Sequence, residues 1–113
     1  MHASFQFIRE LVSNEYPITR KDLRIRRESE RPVILLVSGP HKVGPEHLNE
    51  TAALILSLCD GTRNLPAIVD EFSNRFSNLN EQESFVTVTR CVRSLQRKGL
   101  LLRLNKSLRN TDD

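Results

Sequence analysis

Histidine, cysteine, serine and the carboxylates are the side chains that could do covalent or metal chemistry, and their spacing in this 113-residue chain gathers none of them into a site. His41 and His47 are six positions apart, which on a strand puts them on one face but about 20 Å from each other, too far to share a metal. His2 has no plausible partner near it. Cys59 and Cys91 lie 32 positions apart inside apolar helical patterns, neither a metal-ligand spacing nor a disulfide framework, so both read as packed thiols. There is no glycine-rich phosphate loop, no C-x-x-C and no H-E-x-x-H, and the serines and acids are scattered. The residues thus nominate no catalytic group, no metal ligand and no cofactor, and an enzyme is the weakest reading.

Cations in a pattern are what remain. Arg90, Arg93 and Arg97 recur with Val86 at helical steps, on a different face from Phe85, Val88, Val92 and Leu95. One face packs and the other is cationic. Charge along the chain has the same sense: residues 1–32 hold seven Lys/Arg against five Asp/Glu, residues 33–79 three against five, and residues 80–113 seven against four. Basic ends around an acidic middle, with a net charge of +3, suit an acidic partner but fall short of the concentrated basic footprint of a dedicated nucleic-acid binder.

The elements that must position these residues fit one small core. No apolar run approaches the ~20 residues of a bilayer span, and the first ten residues lack the basic and apolar regions of a secretory signal, so the expected location is the cytoplasm. Phe5, Ile8, Leu11 and Val12 space an amphipathic helix over residues 4–15, with Pro17 closing the pattern. Leu23 and Ile25 alternate with arginines as a half-buried strand does, and residues 28–32 read as a turn. Val33 to Val37 is uniformly apolar, the signature of a central strand covered on both faces, with the N-terminal helix as candidate cover. His41 to Leu48 has room for a third strand, which Gly44 and Pro45 confine to an edge or a bulge.

Three helices follow. Asn49 caps the first, about residues 50–59, which Gly61 ends; its apolar positions cover nearly the whole circumference. Asn64 caps the second, with Pro66 in its first turn. Asn80 with Glu83 opens a long third helix running to Gly99. Leu100 to Leu104 reads as a short apolar strand or docking segment, and residues 105–113 as a disordered polar tail. The fold class is α+β, of winged helix-turn-helix type: a three-stranded antiparallel sheet followed by three helices, with an extra N-terminal helix. Residues 1–17 form that extension, 18–104 the domain and 105–113 the tail.

Two binding readings suit this order of elements. In a winged-helix regulator an arginine-bearing helix enters the DNA major groove, but bases are touched by its N-terminal half, which here carries Glu81 and Glu83. Carboxylates there would meet phosphates. The other reading is a resemblance. Leu48, Asn49, Thr51, Ala52 and Ala53, then Leu58, Cys59, Asp60 and Gly61, then Ile68 and Val69, and finally "CVRSLQRKGLL" resemble the PqqD family (coenzyme PQQ synthesis protein D) and its wider relatives, the RiPP recognition elements, over about residues 23–102. The family's apolar strand is interrupted here by Gly44-Pro45, and the helix before Pro17 is an addition to its minimal unit.

The resemblance implies a peptide chaperone without turnover. It would hold the leader of a ribosomally made precursor peptide and present the core to a modifying enzyme, a radical SAM protein in the PQQ pathway. An extended leader would add as a strand to the edge of the third strand, with side chains dropping toward the third helix. The residues expected to bind it are His41, Lys42 and Val43 on the edge, and Val86, Arg90, Arg93 and Arg97 on the helix. An edge strand and an N-terminal helix also leave room for a homodimer. Neither a membrane nor nucleic acid is an expected partner.

Overall fold

The computed structural model describes residues 2–20, 23–28, 31–36, 46–76 and 78–108. It is an α+β protein with four helices: α1 (His2–Leu11), α2 (Glu50–Leu58), α3 (Leu65–Arg75) and α4 (Glu81–Arg97). The strands are β1 (Tyr16–Thr19), β2 (Leu23–Glu28), β3 (Arg31–Leu36), β4 (Glu46–His47) and β5 (Leu101–Leu104).

The three core helices start where asparagine allows them to. Asn49, Asn64 and Asn80 each hold extended backbone and accept, through the side-chain oxygen, the N–H three residues on, at 2.7, 2.9 and 2.8 Å. Glu83 reaches back to the Asn80 N–H at 3.0 Å, completing a capping box. Each bond satisfies an amide that the first turn leaves without a helical partner. Asn80→Ala is therefore expected to cost about 1 kcal/mol, read as a lowered urea midpoint, while Asn80→Ser stays near the parent. Gly61 (φ +83°) and Gly99 (φ +76°) turn the chain after α2 and α4 in the left-handed region that glycine enters without strain.

These helices build the core. Ile55 and Leu56 from α2, Leu65, Ile68, Val69 and Phe72 from α3, and Phe85, Val88, Val92 and Leu95 from α4 are buried together with Leu100 and Leu101. The order of one sheet is β2-β3-β4, antiparallel throughout, with Leu23 opposite Leu36 and Val33 opposite His47. β3 takes the middle position and β4 an outer one.

β1 and β5 form a second, two-stranded ladder with Tyr16 opposite Leu104 and Thr19 opposite Leu101. β1 departs from the sequence expectation, in which the N-terminal helix ran to residue 15 and Pro17 merely ended it. The helix stops at Leu11, and Pro17 lies inside a strand. The Pro17 carbonyl turns away from β5 and accepts the Gly61 N–H at 3.1 Å, so the missing proline N–H takes nothing from the β1–β5 pairing. Thr19 N–H donates to the Cys59 carbonyl at 2.8 Å, and its hydroxyl to the Leu56 carbonyl at 3.0 Å. β1 thus runs between β5 and the end of α2, across the expected boundary at residues 17 and 18.

Two further differences concern the ends. The described side-chain contacts of α1 go to α3 and α4 rather than to a sheet face: Arg9 lies 3.3 Å from Asp70 and 3.6 Å from Glu81. The start of the expected tail is docked, since Leu108 N–H donates to the Gly61 carbonyl at 2.9 Å and the Ser107 hydroxyl to the Thr62 carbonyl at 3.1 Å. Residues 109–113 lie outside the described residues.

Candidate functional site

A groove of about 520 Å³ opens between the start of α2 and the outer side of α4. Leu48, Asn49, Thr51 and Ala52 form one wall, directly after β4; Val86, Thr87, Arg90 and Cys91, then Ser94, Leu95 and Lys98, form the other. The Asn49 cap fixes where the first wall begins, and the buried stripe of α4 fixes which side chains the second wall presents. Val86, Arg90, Ser94 and Lys98 are spaced four apart and so run as one line along the helix. The lining mixes apolar side chains (Leu48, Ala52, Val86 and Leu95) with polar ones and two cationic groups, Arg90 and Lys98. Val86 is 46% exposed although it is apolar.

The expected site residues divide. Val86 and Arg90 line the groove. Arg97 is exposed on α4 but lies outside the lining. Arg93 is turned the other way: its two terminal nitrogens donate to the Glu15 carboxylate at 2.7 and 2.8 Å, and one also to Gln96 Oε1 at 3.0 Å. The Glu15 side chain is only 7% exposed. The Arg93 hydrogen bonds hold its carboxyl below the usual range although burial pushes the other way, and the same contact raises the Arg93 guanidinium. Charge reversal at Arg93 would therefore strike the fold first. His41, Lys42 and Val43, with Gly44 and Pro45, lie outside the described residues.

Ser94 and Lys98 were not among the expected residues, yet they continue the four-residue step from Arg90 and could have been read from it. Cys91 reaches the groove wall half-buried, whereas Cys59 is buried in the core; both thiols are free. Burial pushes Cys59 up to about 12 and raises Cys91 as well, so neither is a ready thiolate at neutral pH. Among the described residues no cluster of His, Cys, Asp or Glu could hold a metal ion, and no helix is long and apolar enough to cross a membrane. The first turn of α4 carries Glu81 and Glu83, which gives its leading end the wrong sign for a phosphate backbone.

Residues 46–101, from β4 through both groove walls to the first residue of β5, match the family model of coenzyme PQQ synthesis protein D (PqqD). This segment makes the chain a member of the PqqD family. A PqqA binding protein of Methylococcus capsulatus (strain Bath) is 54% identical over 33 residues, which are 29% of this chain and 36% of that relative. The alignment thus spans about a third of the curated relative's length. No solved structure matches the chain significantly. Every described residue of the groove falls inside the PqqD segment, whereas the Glu15–Arg93 pair joins it to a residue outside: Arg93 lies within the segment and Glu15 precedes it by 31 positions.

Proposed function

We propose that the chain is a PqqD-type peptide chaperone, which binds the leader of a ribosomally made precursor of the PqqA kind and presents it to a modifying enzyme in coenzyme PQQ or related biosynthesis. The observation that carries this is the open groove in the PqqD segment, lined by apolar side chains together with Arg90 and Lys98 and lying directly after an outer strand. An extended peptide pairs its backbone along the outer side of β4 and lays alternate side chains between Leu48 and Val86. Main-chain hydrogen bonds supply affinity, and the groove supplies choice. The sheet and the helices after it form, in this reading, a winged-helix-type frame used for a peptide rather than for DNA. The protein itself catalyses nothing; a radical SAM enzyme in the cytoplasm is the recipient of the peptide.

Arg90 is exposed and has no ion-pair partner among the described residues, so it is the guanidinium ready to meet a leader carboxylate. Titration calorimetry with a synthetic PqqA peptide is expected to show one-to-one binding to the parent protein. Arg90→Glu should weaken it by about 1 kcal/mol or more, roughly fivefold, because an attraction at the rim becomes a repulsion. The circular dichroism spectrum should be unchanged. No binding by the parent, or equal affinity in the variant, would contradict the proposal.

A further inference from the structure

Helix α1 is docked the opposite way round from an ordinary surface helix. Its arginine points inward: the Arg9 side chain is 15% exposed and lies between Asp70 on α3 and Glu81 on α4. Three apolar residues of its second half point outward, with Phe7 60%, Ile8 44% and Leu11 62% exposed. Phe7 and Leu11 stand one turn apart, flanked by Ile8 on one side and by exposed Glu10 on the other. Nothing lets the helix roll to hide them. Arg9 pins its last turn, Asn64 Nδ2 donates to the Ser13 carbonyl at 3.1 Å just beyond it, and Glu15 is clamped by Arg93.

Charge decides what can cover this stripe. One guanidinium stands between two carboxylates that are 59% and 61% exposed, and Glu10 adds a third on the stripe itself. An anionic lipid surface would be repelled, since interfacial helices carry lysine and arginine beside the apolar face. Two copies meeting α1 to α1 would bring the same carboxylates together. A trough that offers apolar side chains beside cationic groups fits, and each copy of the chain carries one between α2 and α4, with Ala52, Val86 and Leu95 beside Arg90 and Lys98.

We propose that α1 of one copy docks in the groove of a second copy and receives that copy's α1 in its own groove. Phe7 and Leu11 lie against Ala52, Val86 and Leu95, and Glu10 faces Arg90. A helix laid in an apolar groove is an established mode of recognition. Reciprocal docking doubles the surface that one such contact would bury, toward the ~800 Å² per partner of a stable interface. The association is accordingly weak and dependent on concentration. It stands on the geometry of α1 and the groove, independently of what else the groove binds; if the groove also takes a leader, dimer and leader exclude each other.

Sedimentation velocity of the full chain, from micromolar to submillimolar concentration, tests this. The parent should move from monomer toward dimer as concentration rises, and back as salt is added. Phe7→Asp, Glu10→Arg and Arg90→Glu should each stay monomeric, with folded spectra because all three positions are exposed. Glu10→Arg combined with Arg90→Glu in one chain should dimerise again. A parent that is monomeric throughout overturns the proposal, as does a dimer that survives the single substitutions or a double variant that stays monomeric. Peptide affinity measured on Phe7→Asp, which keeps an open groove, reports on the chaperone reading separately.

Discussion

Arg93→Ala is expected to lower the unfolding free energy by about 2–3 kcal/mol, less than the ~3–5 of a fully buried pair broken on one side because Arg93 keeps part of its surface in water. The loss comes from what is left behind. Glu15, 7% exposed at its side chain, would keep its charge without either of the 2.7 and 2.8 Å donors. Replacing both partners, Glu15→Leu with Arg93→Met, should recover most of the loss, since two apolar groups leave no unpaired charge. Acidity provides a second readout. The folded Glu15 carboxyl titrates below its ordinary value of 4.5, so the unfolded chain takes up the proton first as pH falls. The contribution of the pair is therefore complete above about pH 4.5 and is lost as pH falls through the folded value. Urea denaturation across that window should show parent and Arg93→Ala converging toward low pH.

Phe72→Ala is the substitution with the largest expected cost, about 3–5 kcal/mol. Phe72 is 1% exposed and stacks on Phe76 with ring centroids 4.5 Å apart and planes at 30°. It sits on α3 in the cluster shared with α4, so its removal leaves a void that rigid helices on either side cannot close. Against the 5–15 kcal/mol that holds a domain of this kind together, a loss of that size is a large share. A fall in Tm of roughly 15 °C or more should follow, with Phe72→Leu losing much less. A near-parent Tm for Phe72→Ala would mean that α3 and α4 are not packed through this ring.

The parts of the fold that depend on a few neighbouring residues were readable from the sequence. Asn49, Asn64, the Asn80–Glu83 box, Gly61 and Gly99 mark helix ends by local chemistry, and each is found at an end. β1 was not readable, because Tyr16-Pro17-Ile18-Thr19 contains a proline and its partner strand begins 82 positions after Thr19. Only the tertiary arrangement shows that Pro17 uses its carbonyl alone. The same limit divided the arginines. Periodicity places Arg90, Arg93 and Arg97 on one broad face of α4, but which of them reaches across to another element is set by Glu15, 78 residues from Arg93. The inward turn of Arg9 likewise depends on Asp70 and Glu81, which no pattern within α1 encodes.

The most direct test of the central claim, that an extended peptide adds along β4 and fills the groove beside α4, is an amide chemical-shift map of the labelled protein titrated with a synthetic PqqA peptide. Perturbations are expected at Glu46 to Ala52 and along Val86, Arg90, Ser94 and Lys98, with the amides of β5 and the end of α3 unmoved. Shifts confined to other surfaces, with those groove amides unchanged at saturating peptide, would contradict it.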